Sequence, residues 1–217
     1  MRPVPIRRGV RALLSAAALL LLAACQAAIL PAPPPPPPSS TAGLAVLPPC
    51  PAGLSAVLNT GVAIAFEGAD RRRPDVCLRR MNGHIYRYFL GFWGDGRFRD
   101  TNPTERAAIR RVLSGPVGTT AHFPLSLPTP LAIWRSASVT HVGDPLLLLA
   151  HAVQRRTILL RVVRHGPPDR PKVKTETLWW LDRATLIPLK RQEVVRLAHG
   201  TERQTAWRVR RLIPTPG

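Results

Sequence analysis

The 217-residue sequence predicts a mainly β (α+β) domain, a curved antiparallel sheet or open barrel of about seven to nine strands with one short helix. Three observations predict this class. Short segments rich in aromatic and β-branched residues recur after residue 50, turn signals containing Gly, Pro or Asn-Gly separate them, and one segment alone carries both helix-end signals. Curving the sheet is an economical way to bury one face of so many strands.

The first strands are predicted around an Asn-Gly turn. Residues 61–67 form a short apolar segment that ends at Gly68, and extended chain resumes at 75–80. Asn82-Gly83 is typical of a two-residue hairpin turn, and aromatic and β-branched side chains dominate residues 84–90. We therefore expect a β-hairpin here, followed by a glycine-rich loop.

One helix is predicted after residue 102. Asn102 can cap its first turn, Pro103 suits the first helical position, and Glu105 completes a capping box. A Gly-Pro pair then ends the helix. One face of the helix carries an apolar stripe of Ala108, Ile109, Val112 and Leu113. This stripe is expected to pack across the sheet.

The second half of the chain is predicted to be mostly strands. Residues 145–154 are ambiguous: Asp144-Pro145 could start a helix, whereas the four leucines that follow suit a strand buried on both faces. We favour the strand. The other predicted strands are 119–125, 131–142, 157–164, 173–181, 189–197 and 205–212, of which the last three form a meander.

Residues 1–24 are predicted to be a signal peptide. The first eleven residues contain four arginines and no acidic residue, and residues 12–24 are uncharged. That apolar run has the length of a signal-peptide core and is too short to span a hydrocarbon layer about 30 Å thick. The chain is therefore expected to be exported.

The segment Leu22-Ala23-Ala24-Cys25 resembles the lipobox of bacterial lipoproteins at all four positions. The resemblance implies cleavage before Cys25 and acylation of that residue by palmitate-like chains, which would anchor the protein to a membrane. Gln26 replaces the Asp that is associated with inner-membrane retention, which implies the cell outer membrane, facing the periplasm. The alternative is an ordinary signal peptide with a chance cysteine.

Residues 25–49 are predicted to be a lipidated cysteine and a proline-rich tether. Seven of the eight residues from Pro31 to Pro38 are proline, and such a run adopts an extended polyproline II form of about 25 Å. We interpret it as a spacer; the alternative is a docking ligand for a proline-binding module. The tether leaves residues 50–217 as a single periplasmic β-rich domain.

The chain is strongly basic, with a formal net charge of +19. Such a charge favours anionic surfaces, but the arginines occur as scattered pairs and triplets, such as 71–73 and 110–111, rather than as one tract. A solvated basic face is therefore favoured over a dedicated polyanion site. The predicted export of the protein argues against nucleic acid as a partner.

Cysteine pairing is consistent with export. With Cys25 acylated, Cys50 and Cys77 remain as an even pair in an oxidising compartment, which predicts a disulfide. The alternative is two buried free thiols. Neither cysteine has an evident histidine partner in the sequence for nucleophilic catalysis.

Residues 177–212 resemble a hairpin of the carriers and receptors of the lipoprotein-sorting pathway and of related uncharacterised envelope β-proteins. The matching pattern is Trp179-Trp180-Leu181-Asp182, then Thr185, Pro188 and a basic residue. The resemblance implies a curved antiparallel sheet around a hydrophobic cavity that accepts acyl chains. Locally, Asp182 and Thr185 are expected to form a turn and Pro188 to open an edge strand; Leu186 stands where those families often have glycine.

The candidate ligand-binding residues are Trp179 and Trp180. Adjacent strand residues point to opposite faces, so one tryptophan must face away from the side that buries the other. No catalytic or metal-ligating residue is assigned, because the six histidines lack metal-ligand spacing. Asp95 and Asp100, with Glu105 nearby, are the sole acidic cluster, and a loop and a helix cap account for them.

We therefore expect a non-enzymatic lipoprotein without a cofactor that binds a lipid-like or other hydrophobic ligand in a sheet-lined cavity. The alternative is a structural or assembly lipoprotein that binds an envelope protein or anionic glycan through its arginine-rich surface. A hydrolase is the third hypothesis, and no motif in the sequence supports it.

Overall fold

The computed structural model describes residues 42–96, 101–125, 134–166, 174–196 and 202–214. These residues form twelve strands and one α-helix, α1 (Pro103–Ser114), which confirms the predicted fold class. The predicted signal peptide, Cys25 and the proline run lie outside the described residues. The strands are β1 (Ala52–Leu58), β2 (Ala63–Asp70), β3 (Arg73–Met81), β4 (His84–Phe89), β5 (Trp93–Gly96), β6 (Thr120–Pro124), β7 (Ser136–Gly143), β8 (Leu146–Leu148), β9 (Gln154–His165), β10 (Lys174–Asp182), β11 (Pro188–Arg196) and β12 (Glu202–Pro214).

All strands belong to one antiparallel sheet, which is curved and does not close. The strand order is β5-β4-β3-β2-β1-β12-β11-β10-β9-β7-β6, and β8 pairs with β9. The central pairing joins the two ends of the described chain, because Leu54 on β1 lies opposite Pro214 on β12. Strands from the two halves of the sequence are therefore neighbours in the middle of the sheet.

The strand count exceeds the predicted seven to nine because short segments with weak intrinsic strand signals are recruited by their neighbours. The glycine-rich β5 was expected to be loop, yet it pairs with β4 through Phe89 and Trp93. The Ala- and Gly-containing β1 was not expected, yet it hydrogen-bonds to strands on both sides. Tertiary context decides such segments more strongly than propensity does.

The ambiguous segment 145–154 contains the favoured strand, β8, followed by a single 3-10 turn at Ala150–Ala152. The expectation that this strand is buried on both faces is wrong, since Leu146 is 53% and Leu148 60% exposed. In the described part of the chain β8 has β9 as its only strand neighbour, and it turns alternate side chains to solvent. Leu149, just beyond β8, is buried.

The predicted helix begins and ends where its signals lie. The Asn102 side-chain oxygen accepts a hydrogen bond from the Glu105 backbone N–H at 2.7 Å, and the Gly115 N–H donates to the Arg111 carbonyl at 2.9 Å. The apolar stripe faces inward, with Ile109, Val112 and Leu113 fully buried. This stripe packs into a core that includes residues of β6, β7, β9 and β10.

The predicted disulfide between Cys50 and Cys77 is present, with an Sγ–Sγ distance of 2.04 Å. It links the chain just before β1 to the middle of β3. A second buried cluster, drawn from β1, β2, β11 and β12, fills the centre of the sheet. No helix in the described ranges is long and apolar enough to cross a membrane.

The turn after β10 has the local structure that its sequence predicts. The Thr185 hydroxyl donates to the Asp182 carboxylate at 2.7 Å, and the Leu186 N–H donates to the Asp182 carbonyl at 2.8 Å. Pro188 does begin the next strand, β11. The expectation of an edge strand is wrong, however, because β11 lies between β10 and β12. Proline is tolerated there because it is the first residue of the strand.

Candidate ligand cavity

The two adjacent tryptophans of β10 lie on opposite faces of the sheet. Trp179 lines a cavity of about 560 Å³, whereas Trp180 is not among the described residues that line it. The Trp180 ring instead contacts Lys190, whose Nζ is 4.2 Å from the ring centroid. Successive side chains of a strand point to opposite faces. Of the two tryptophans predicted as ligand-binding residues, only Trp179 therefore lies in the cavity wall.

The cavity lies where the two halves of the curved sheet approach each other. Its wall includes residues of β1 to β5 on one side and of β9 to β12 on the other, with further residues from α1 and the connecting loops. We call it the aromatic cavity; its described lining residues are Leu58, Ile64, Arg79, Met81, Tyr88, Phe92, Trp93, Gly94, Thr101, Glu105, Leu125, Trp134, Arg164, Trp179, Arg191 and Trp207.

Edge-to-face contacts connect the aromatic rings of the wall. The Trp179 ring centroid lies 6.3 Å from that of Phe92 and 6.0 Å from that of Trp207. Trp93 continues the chain of contacts toward the core, 6.4 Å from Phe92 and 5.7 Å from Phe123. Such pairs add to the stabilisation from burial alone and fix ring orientations, so the wall is preformed.

Arg79 is a buried charge in this wall. It is 5% exposed, and its guanidinium carbon lies 4.4 Å from the Tyr88 ring centroid and 5.6 Å from that of Phe66. Within the described residues, neither Nε nor Nη2 of Arg79 has a hydrogen-bond acceptor. Burial lowers the pKa of Arg79 to about 10, with a smaller opposing effect of Tyr88, so the side chain remains charged at neutral pH.

Other charged groups line the same cavity. The Arg191 guanidinium lies 5.1 Å from the Trp179 ring centroid and is paired with Glu193, while its Nε has no hydrogen-bond partner in the described part of the chain. Arg164 lies 5.4 Å from the Trp93 ring centroid. Glu105 is buried and accepts a hydrogen bond from Trp93 Nε1 at 3.4 Å. The cavity is thus aromatic with a surplus of positive charge.

No sequence pattern singles out these arginines. With 31 lysines and arginines in the chain, a basic residue in a strand carries little information by itself. The available signal was alternation: Cys77, Arg79 and Met81 share one face of β3, so Arg79 lies on the same side as a buried cysteine.

A second concave surface lies on the other face of β3, where Val76 and Leu78 alternate with Arg79. It has a volume of about 730 Å³. Two of its arginines are paired with carboxylates, Arg87 with Asp70 at 3.0 Å and Arg106 with Asp75 at 3.5 Å. We call it the basic groove; its described lining residues are Asp70, Arg71, Arg72, Arg73, Val76, Leu78, Arg87, Phe89, Thr101 and Arg106.

The predicted acidic cluster of Asp95, Asp100 and Glu105 falls largely outside the described residues. Asp100 and the side chain of Asp95 lie outside the described residues, and Glu105 belongs to the aromatic cavity. Among the residues that the structure describes, no group of three or more His, Cys, Asp or Glu could hold a metal ion. His141 is fully buried, although the sequence suggested surface or sheet-edge positions for the histidines.

Comparison with known proteins found no matching family model, no matching curated protein and no matching solved structure. The features on which a function can be argued therefore come from this structure alone: a curved, open antiparallel sheet and an arginine-containing aromatic cavity.

Proposed function

We propose that this protein is an outer-membrane lipoprotein, anchored through acylated Cys25 and facing the periplasm, that binds a lipid-like or other hydrophobic ligand in the aromatic cavity. One observation carries the ligand proposal: side chains from both halves of the sheet, six of them aromatic, line an open cavity of about 560 Å³. That volume lies within the range of about 300 to 1,000 Å³ that is usual for small-molecule sites. The anchor proposal depends on the lipobox and the export signal.

The composition of the cavity suits a ligand with both apolar and anionic parts. The aromatic rings offer rigid apolar area to a ligand, and the arginines provide charge at fixed positions.

The anchor is tested by metabolic labelling with a palmitate analogue in cells that express the full chain. Cys25→Ser should abolish labelling and release the protein from the membrane fraction. The double variant Cys50→Ser, Cys77→Ser is the matched control and should remain labelled. Labelling of the Cys25→Ser protein would exclude this anchor.

The ligand is tested by native mass spectrometry of the full-length protein purified from membranes. We expect a co-purifying lipid, and we expect Trp179→Ala to reduce its occupancy about ten-fold, because a large aromatic contact is lost. Trp180→Ala removes the same side chain from the same strand but from the opposite face, and it should leave occupancy unchanged. A wild-type protein without any adduct, or equal losses in the two variants, would contradict the proposal.

A second candidate function is binding of an anionic envelope glycan or protein, and the basic groove favours it. Arg71 and Arg72 are exposed beside this groove. Replacing both with Gln should weaken salt-sensitive retention of the full-length protein on an immobilised sulfated dextran. Replacing Arg210 and Arg211, an exposed pair on β12, makes the same change in charge elsewhere. Equal losses from the two pairs would indicate nonspecific attraction.

A further inference from the structure

The unpaired guanidinium of Arg79 identifies the chemistry of the ligand more closely. Arginine is among the residues least often buried without a partner, and its five N–H groups require acceptors. Here the ring faces of Phe66 and Tyr88 flank the guanidinium, and Nε and Nη2 have no acceptor among the described residues. Aromatic contacts compensate part of the lost hydration, but they do not replace the missing hydrogen bonds.

Folding alone does not explain a charged residue at this position. An apolar side chain of similar volume would fill the same space without the cost of desolvation. A ligand that supplies the missing hydrogen-bond acceptor would explain the buried guanidinium, because Arg79 lines the aromatic cavity. The guanidinium presents parallel N–H groups that match the oxygens of a carboxylate or phosphate.

Neighbouring charges indicate where an anion is favoured. Arg191 also lines the cavity with an unpartnered Nε, while its ion pair with Glu193 occupies the end of its guanidinium. Glu105 is the one carboxylate among the described lining residues, and Trp93 Nε1 donates to it. Because Arg164 lies beside Trp93 and Glu105 accepts from the same residue, an anionic group is favoured most near Arg79 and Arg191, away from this carboxylate.

We propose that the ligand of the aromatic cavity is an amphiphile with a carboxylate or phosphate group, whose oxygens accept hydrogen bonds from Arg79 while its alkyl chain packs against Trp179 and Trp207. This inference rests on the proposed function, which requires only a hydrophobic ligand. It adds the charge and the place of the head group.

The test uses the full-length protein in nanodiscs of digalactosyl diacylglycerol, a neutral bilayer lipid without phosphate or carboxylate, with empty discs as the blank for partitioning. Isothermal titration compares octanoate, octyl phosphate and octanol, each of which contains eight carbon atoms. The two anions should bind about ten-fold more tightly than octanol, the factor expected from one charge-assisted hydrogen bond. Because this comparison needs only the wild-type protein, it does not depend on the folding of any variant.

Variants then assign the preference to Arg79. Arg79→Met should remove the difference between octanoate and octanol. Arg80→Met should preserve it, because Arg80 is on the opposite face of β3 and is paired with Glu67 at 2.9 Å. A preference that survives in Arg79→Met would overturn the role of this residue.

Other outcomes separate this inference from the proposed function. Equal binding of octanol and octanoate by the wild-type protein would overturn the inference and leave the proposed function intact. Binding of none of the three would contradict both. Inorganic phosphate that displaces octyl phosphate at an equal concentration would show a site for a free anion, and the amphiphile proposal would be wrong.

Discussion

His141 is fully buried on β7, and both of its ring nitrogens contact oxygen atoms. Nδ1 lies 3.1 Å from the Gly115 carbonyl oxygen, and Nε2 lies 2.8 Å from Asp144 Oδ1. Arg183 lies 2.9 Å from the other oxygen of Asp144 and donates to the Ala42 carbonyl at 2.7 Å. These contacts link Ala42, the first described residue, to the sheet through Arg183.

Replacing His141 with Ala should lower the free energy of unfolding by about 3 kcal/mol, because it removes two hydrogen bonds and takes a partner from a buried carboxylate. Urea unfolding followed by tryptophan fluorescence measures the change. His122→Ala, at an exposed position on the neighbouring strand β6, should cost less than about 0.5 kcal/mol. Similar losses in the two variants would show that the buried contacts of His141 contribute little.

Whereas His141 stabilises the folded protein, Arg79 should destabilise it. Burial lowers its pKa in the folded protein to about 10, so the folded state disfavours the charged form and stability is reduced throughout the range below that pH. The folded protein then binds fewer protons than the unfolded chain between the lowered and the ordinary pKa, and stability should rise with pH across that interval. Arg79→Met should therefore raise the free energy of unfolding at pH 7 by about 1 to 3 kcal/mol.

Thermal and urea unfolding of the ligand-free protein check this effect, with Arg80→Met as the control for charge removal. Arg80 is half-exposed and its ion pair with Glu67 lies at the surface, so its loss should change stability by less than about 1 kcal/mol. An Arg79→Met protein less stable than the wild type would mean that the guanidinium contributes to folding, and the argument for a ligand would lose its basis.

At the scale of an element, the turn between β10 and β11 combines an unfavourable backbone conformation with a buried side chain. Leu186 has a φ of +54°, in the left-handed region that favours glycine. It is nevertheless leucine, and its side chain is 1% exposed within the core under α1. Burial of the side chain offsets the backbone strain, which explains how leucine is accommodated at this position.

Leu186→Gly should therefore be destabilising, but less so than Leu189→Gly. Both changes remove a fully buried leucine side chain, at a cost of about 2 to 5 kcal/mol. Only the change at position 186 also relieves a left-handed conformation, which is worth about 1 to 2 kcal/mol. Chemical unfolding of the two variants measures the difference, and an equal or larger loss at Leu186 would contradict this account.

At the scale of the whole molecule, the pairing of β1 with β12 brings the two ends of the described chain together and lets the sheet curve around the aromatic cavity. Contacts of this kind are far apart in sequence, and closing the intervening chain is entropically costly. The Cys50–Cys77 disulfide, with a sequence separation of 27, restricts the unfolded chain beside this pairing. The disulfide holds the segment that leads into β1 next to β3.

The double variant Cys50→Ala, Cys77→Ala should lose about 3.5 kcal/mol of unfolding free energy, the loop-entropy value for a closure of this length. Removing both cysteines avoids a free thiol. Urea unfolding of the variant and of the oxidised wild type provides the comparison. A loss below about 1 kcal/mol would mean that the unfolded chain is already compact in this region.

The sequence alone determined the features that depend on near neighbours along the chain. The helix begins at its Asn102 cap and the Asp182 to Thr185 turn forms, because local hydrogen bonding specifies these features. The disulfide is not local, and it was predictable from the cysteine count alone. The β class also follows locally, from short segments and turn residues. Alternation in β10 further showed that Trp179 and Trp180 must lie on different faces.

Only the tertiary structure decided which strands meet and what they enclose. Short segments such as β1 and β5 become strands because neighbouring strands supply hydrogen-bond partners, which no local pattern encodes. Arg79, Arg191 and Trp207 come from different strands and share one cavity because the sheet curves and β12 pairs with β1. A sequence records which residues are charged, but burial and missing partners arise from packing, so the unpaired guanidinium of Arg79 became evident only in the fold.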